Sequence, residues 1–211
     1  ALTNWAGTAT AEAAIDRWDE LGALPPAKRL KELSGARYAV RDLAAKRGTE
    51  VHRAAEALLA GKSVQIPEDI AGHVEAYAHF IEDFDVEPLH VEFPCLSYRW
   101  GYAGTADLCA RLVLPDKGTA TVLADLKTSR SGIYGDVALQ LSAYRLADFW
   151  LIDGQEVEPV PVDYVLGIHT RSDGSYAVLP VEAGEAEHKA FLYCMKVGQF
   201  MARARDLVGP A

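Results

Sequence analysis

Cysteine is scarce in this chain: Cys95, Cys109 and Cys194 are the only three among 211 residues. Three cysteines build neither a disulfide framework nor a four-cysteine metal site, so a reducing cytoplasm is the expected compartment. No stretch approaches the ~20 uninterrupted apolar residues of a membrane-spanning helix, and the N-terminus lacks the layout of a signal peptide. A phosphate-binding Walker loop, internal repeats and low-complexity linkers are missing as well. From Ser63 to Tyr98 there is no lysine or arginine at all.

What is present fits a globular chain. Half of the residues are hydrophobic and 24% are charged, which excludes general disorder. The length suits one domain with a sizeable core. A net charge of −9 ordinarily argues against nucleic acid. The charge is unevenly spread, however. Between Ala27 and Ala54, Lys28, Arg29, Lys31, Arg37, Arg41, Lys46, Arg47 and Arg53 stand against only Glu32, Asp42 and Glu50. Phosphate attraction acts over a Debye length of ~10 Å, so a basic helical patch on an acidic body still binds a polyanion. Taken alone, the same patch also reads as a solvated helix face.

The first 85 or so residues carry helical spacing. Pro25 and Pro26 suit a helix start, and Leu30, Leu33, Val40 and Leu43 follow, with a break predicted at Ser34-Gly35. Thr49 is placed as the N-cap of a new helix bearing Val51, Ala55, Leu58 and Leu59. Pro67 opens a third, with Ile70, Val74, Tyr77, Ile81 and Phe84 on one face. Strands are predicted over 89–98, 101–114 and 119–128, with Pro115 to Gly118 as the turn between the last two. A helix over 136–151, strands over 162–170 and 175–181, and a helix over 185–205 follow. The expected fold is α/β of the α+β type: a central mixed sheet flanked by helices, with a helical part over 1–85 and the sheet core over 86–211, all in one domain.

The chemistry concentrates in Gly104-Thr105-Ala106-Asp107 and Ala124-Asp125-Leu126-Lys127-Thr128. Residues two apart on a strand share a face, so Asp125 and Lys127 project together from an otherwise apolar run. Charges within a core are costly unless paired or bound to metal. Read alone, the pair is equally a structural ion pair. If the Pro115 to Gly118 turn pairs the strands antiparallel, Asp107 approaches Asp125. Two close carboxylates repel, and a divalent cation relieves the repulsion. Two acids, a metal and a lysine equip a site for phosphodiester hydrolysis.

At these residues the chain resembles the PD-(D/E)XK nuclease superfamily, where an acid on one strand precedes (Asp/Glu)-x-Lys on the next. Gly48-Thr49-Glu50-Val51-His52 is similar to the Gly-Thr-x-x-His motif of the RecB-like branch, and Gln140-Leu141-Ser142-Ala143-Tyr144 to its Gln-x-x-x-Tyr motif. Order and approximate spacing both match over Gly48 to Tyr144. The resemblance implies a restriction-endonuclease-like core and a metal-dependent deoxyribonuclease. It further implies an exonuclease acting from DNA ends in recombination, replication or repair, as in compact phage enzymes. Asp107, Asp125 and Lys127 are then catalytic. Asp107, Asp125, His52 and the Leu126 carbonyl would hold Mg²⁺ or Mn²⁺. Gln140 and Tyr144 would support the site, and Glu92 is either a supporting acid or a plain exposed strand residue. Arg41, Lys46, Arg47, Arg53 and Arg130 would track the DNA backbone, and Trp100 or Tyr102 would stack a base.

The implied partners are DNA (linear, at its ends or as single strands) and recombination or replication proteins, with no membrane. Any helicase function would belong to a partner. Some relatives hold an iron–sulfur cluster with one cysteine before the histidine motif and three near the C-terminus. Here no cysteine precedes Cys95 and only Cys194 lies near the end, so no iron–sulfur cluster is expected.

Plainer readings stand beside these. A lone His52 is usually a packed or surface residue. Gln140 and Tyr144, four apart, also fit a core-edge pair on one helix face. His73, His79, His90, His169 and His188 lack ligand spacing and are assigned no role. A different class altogether is a non-catalytic DNA-binding or assembly subunit on a nuclease-like fold, which metal-dependent cleavage would separate from the enzyme.

Overall fold

A computed structural model describes residues 2–209. The chain divides into two compact units, Ala1–Glu50 and Val51–Ala211. The first unit contains α1 (Leu2–Asp16), α2 (Trp18–Ala23) and the greater part of α3 (Pro26–Leu59). Pro26 occupies the first position of α3, where its missing N–H leaves no bond unmade. Arg29, one turn on, reaches back to the carbonyls of Leu21, Gly22 and Leu24, satisfying acceptors at the end of α2. One of the basic side chains counted above therefore has a structural task.

The predicted break at Ser34-Gly35 and restart at Thr49 do not occur: α3 runs through both. Glycine inside a helix costs ~1 kcal/mol relative to alanine, and the Ala, Leu, Lys, Arg and Glu residues around Gly35 and Gly48 are strong helix formers that offset it. Thr49 is an interior residue whose hydroxyl donates to the Ala45 carbonyl at 3.1 Å. His52 consequently sits well inside a helix, and not in its first turn.

In the second unit a 3-10 turn (Glu68–Ile70) leads into α4 (Ala71–Asp83). Among the described residues, seven strands form one mixed sheet: β1 (Glu87–Ser97), β2 (Tyr102–Leu114), β3 (Gly118–Lys127), β4 (Phe149–Ile152), β5 (Gln155–Val157), β6 (Tyr164–Thr170) and β7 (Tyr176–Pro180). Their order is β5-β4-β1-β2-β3-β6-β7. β3 and β6 run parallel, as a crossover through α5 (Asp136–Arg145) permits, and the other pairs are antiparallel. The helix predicted over 136–151 ends at Arg145, and the β4–β5 hairpin replaces its last residues. Asp153 (φ 52°) and Gly154 (φ 78°) both adopt the left-handed conformation, the requirement of a two-residue hairpin turn.

Alternation along the central strands sorts the core into two layers. Leu108, Ala110 and Leu112 of β2 with Val122, Ala124 and Leu126 of β3 pack against Val51, Val74, Tyr77 and Phe80. On the other face Leu123 joins Phe93, Cys95 and Trp150 under Val137 and Leu141 of α5. Leu108, Leu112, Leu123, Leu141 and Ile168 are fully buried, each contributing ~1.5–3 kcal/mol of apolar transfer. α6 (Glu185–Arg203) closes the unit, its first turn fixed by Glu187 accepting the Gly184 N–H at 2.9 Å. Among the described residues, no helix is long and apolar enough to cross a membrane.

Candidate metal centre

The site forms where two strands part. Pairing between β2 and β3 ends at Leu108–Ala124. Beyond that point Asp107 Oδ2 accepts the Leu126 N–H at 2.7 Å, and His52 Nε2 bonds the Leu126 carbonyl at 3.0 Å. Backbone groups that a neighbouring strand would satisfy are satisfied here by two side chains. A carbonyl only accepts, so Nε2 carries the proton.

Glu92 enters through a local distortion. Val91 and Phe93 pair with Leu108 and Ala106, while Glu92 between them adopts φ 48°. That conformation costs a non-glycine residue ~1–3 kcal/mol and concentrates at functional sites. It brings Glu92 Oε1 to 3.3 Å from His52 Nδ1, with Asp107 Oδ1 3.4 Å from the same nitrogen. Burial opposes charge on His52, but Asp107 and then Glu92 outweigh it and hold the imidazolium up to about 10. Tyr77 lines the same small pocket, its hydroxyl pushed up by burial and then by the charges of Asp107 and Glu92. Nothing in the sequence marked Tyr77 beyond its place on a core face.

Asp125 turns toward α5. Its Oδ1 accepts from Gln140 Nε2 at 2.9 Å, and Lys127 Nζ stands 2.6 Å from Oδ2, an ion pair without hydrogen-bond alignment. Lys127 donates to Gln140 Oε1 at 3.2 Å, so one carboxamide spans both charges. Burial, then repulsion from Asp107, lifts Asp125 above the usual carboxylate range despite Lys127. Gln140 also donates to the Tyr144 hydroxyl at 3.3 Å. Tyr144 lies on Gly104, where a Cβ would come within 2.5 Å of its ring. The glycine is a steric requirement of that approach.

The ligand atoms of His52, Glu92 and Asp107 all lie within 4.8 Å of one another. With Nε2–H fixed on a carbonyl, a deprotonated Nδ1 directs its lone pair into the space that the two carboxylates face. Two hard oxygen donors and one imidazole fit Mg²⁺ or Mn²⁺. The grouping differs from the expected ligand set in its detail. Glu92 stands with His52 and Asp107, the Leu126 carbonyl accepts from His52, and Asp125 is engaged by Lys127 and Gln140.

The residues expected to meet DNA fall in both units. Arg53 and Arg130 are exposed in the second unit. Trp100 lies beneath the Arg99 guanidinium, 4.9 Å from its ring centroid. Tyr102 donates to the Ala143 carbonyl and contacts His188 Nε2, both at 3.0 Å. In the first unit Arg41 pairs with Asp42 at 2.7 Å, Lys46 stands 3.8 Å from Glu50, and half-buried Arg47 has no hydrogen-bond partner for its Nε among the described residues. Comparison of the chain with protein-family models and with curated proteins finds no match.

Proposed function

We propose that this protein is a metal-dependent deoxyribonuclease of the RecB-like PD-(D/E)XK type, hydrolysing phosphodiester bonds from the ends of linear DNA. Support comes from one convergence: His52, Glu92 and Asp107 gather at the β2–β3 fork, and the strand they meet carries Asp125 and Lys127. Its setting would be the cytoplasm of a bacterial or phage-infected cell, with recombination or replication proteins as partners.

His52, Glu92 and Asp107 would hold Mg²⁺ or Mn²⁺, with Asp125 as the adjoining carboxylate. Such an ion, when bound, polarises a phosphoryl oxygen and lowers the pKa of a bound water. The protein's own groups do the rest. Leu126 fixes the His52 ring and the Asp107 carboxylate through its carbonyl and N–H. Lys127, a three-donor cation directed by Asp125 and Gln140, orients the attacking water and faces the phosphate charge. Gln140 keeps the lysine and the carboxylate in register, and Tyr144 holds Gln140.

Digestion of linear and circular DNA, single- and double-stranded, with Mg²⁺ or Mn²⁺ and with chelator, tests this function. Linear DNA should disappear in metal and survive in chelator. Equal nicking of closed circles would remove end dependence. Binding without cleavage of any DNA would leave the non-catalytic alternative.

A further inference from the structure

We infer that the cleft between β2, α5 and α6 seats one unpaired nucleobase of the strand being cut, an inference that rests on the nuclease function proposed above. The cleft has a volume of ≈ 270 Å³ and is lined by Tyr102, Leu139, Gln140, Tyr144, Phe191 and Asp136, among others. That is just under the ~300–1,000 Å³ of pockets for drug-sized molecules, a size suited to a single planar ring system.

Its aromatic walls come from three separate elements and are already fixed. Tyr102 and Phe191 meet edge to face, with centroids 5.1 Å apart and planes at 80°. The Tyr102 hydroxyl is held by the Ala143 carbonyl and by His188, and the His188 ring stacks on Phe191 at 10° between planes. Tyr144 is seated on Gly104. Rings locked in advance give up little side-chain freedom when a base stacks on them.

The charge of the lining decides which part of a nucleotide enters. Among the described residues no lysine or arginine lines this cleft, and Asp136 supplies a carboxylate at its edge. Phosphate is repelled there, whereas an uncharged base with a π face is accepted. Gln140 lines the cleft and also bonds Asp125 and Lys127 at 2.9 and 3.2 Å. A seated base is thus one side chain removed from Lys127. A base still stacked in a duplex cannot enter such a slot, so the strand must be single or frayed at this point.

A single-stranded oligonucleotide with one 2-aminopurine near its end, titrated with the full chain in chelator, reads the site directly. Fluorescence should be quenched on binding. Phe191→Leu keeps apolar volume but removes the ring face. It should abolish the quench and weaken binding ~5- to 150-fold, the scale of one base–aromatic stack. Phe191→Tyr, which keeps the ring, should bind as the unsubstituted chain. An abasic nucleotide at the probe position should bind the unsubstituted chain and Phe191→Leu alike. Metal-dependent cleavage of the same strand is measured in parallel. Cleavage with equal affinity for intact and abasic strands overturns the subsite alone. Base-dependent binding without cleavage keeps the subsite and removes the nuclease function, and the absence of both overturns both.

Discussion

His52 and Asp107 are fixed by the same backbone unit: the Leu126 carbonyl accepts from the ring and the Leu126 N–H donates to the carboxylate. The ring's other nitrogen is thereby turned to Asp107 and Glu92. Side chains held this way are preorganised, since His52, Asp107 and Glu92 would need little rearrangement to close on a cation.

The first expected outcome concerns that cation. Mn²⁺ should raise the melting temperature, because His52, Glu92 and Asp107 converge in the folded chain and not in the unfolded one. At 100 times the dissociation constant the gain is ~2.7 kcal/mol. Asp107→Ala should lower the baseline, having lost the Leu126 bond, and should also remove most of the Mn²⁺ shift. A full shift in that variant, followed by differential scanning fluorimetry, would place the ion elsewhere.

Much of this fold was legible because its cues are local. The apolar face of α4 repeats at helical spacing, and the β2–β3 hairpin is announced by Pro115-Asp116-Lys117-Gly118. The β4–β5 hairpin was missed because Phe149-Trp150-Leu151-Ile152 is a short apolar run without period, which suits a helix end as well as a strand. Asp153-Gly154 was the available signal. Glu92 was harder. Its place beside His52 depends on a left-handed backbone at a non-glycine position, a product of sheet pairing that no residue type announces. The sequence also suggested one cluster around Asp107 and Asp125. The strands part between them, so Asp107 meets His52 and Asp125 meets Gln140.

Gly104→Ala tests the packing of Tyr144, which supports Gln140 and through it Lys127. The new methyl would lie 2.5 Å from Tyr144 Cε1 and 2.8 Å from its hydroxyl oxygen, so the ring must move. Overpacking of this kind costs ~1–3 kcal/mol. Because Tyr144 holds Gln140, cleavage should fall with stability. Pairing Gly104→Ala with Tyr144→Leu should recover part of the lost stability but not the rate. Strict additivity in that double-mutant cycle would show that the two positions do not interact.

Acid should loosen the β1–β2 turn that carries Arg99 and Trp100. Asp148 accepts the Arg99 N–H at 2.9 Å and the Ser97 hydroxyl at 3.0 Å, and the Arg99 bond leads in holding its carboxyl below the ordinary value of 3.8. A depressed carboxylate contributes stability that is present above its unfolded pKa and is lost as pH falls through its folded one. Asp148→Ala should therefore melt below the unsubstituted chain at neutral pH, with the gap closing below about pH 4. A gap that stays constant into strong acid would assign the loss to packing instead of to the carboxylate.

Substitutions of Lys127 separate stability from the proposed catalysis. Its ammonium stands 2.6 Å from the buried Asp125 carboxylate and donates to Gln140, yet Lys127 itself remains partly exposed. As a cation it should not ligate metal. Lys127→Ala should therefore keep the Mn²⁺ shift, while cleavage falls ~10²–10⁴-fold, the usual scale for a positioned proton-transfer group. Some stability must go too, because Asp125 keeps only the Gln140 amide. Lys127→Arg restores a cation for Asp125 and should regain that stability. It should not regain the rate, since a planar guanidinium fork does not place its donors where the compact ammonium orients the water. A purely structural Lys127 gives the opposite pattern. Stranding Asp125 would then cost ~3–5 kcal/mol, folding and metal response would fail together, and arginine would rescue everything. Cleavage by Lys127→Arg at the unsubstituted rate, measured beside its melting temperature, would remove Lys127 from the chemistry.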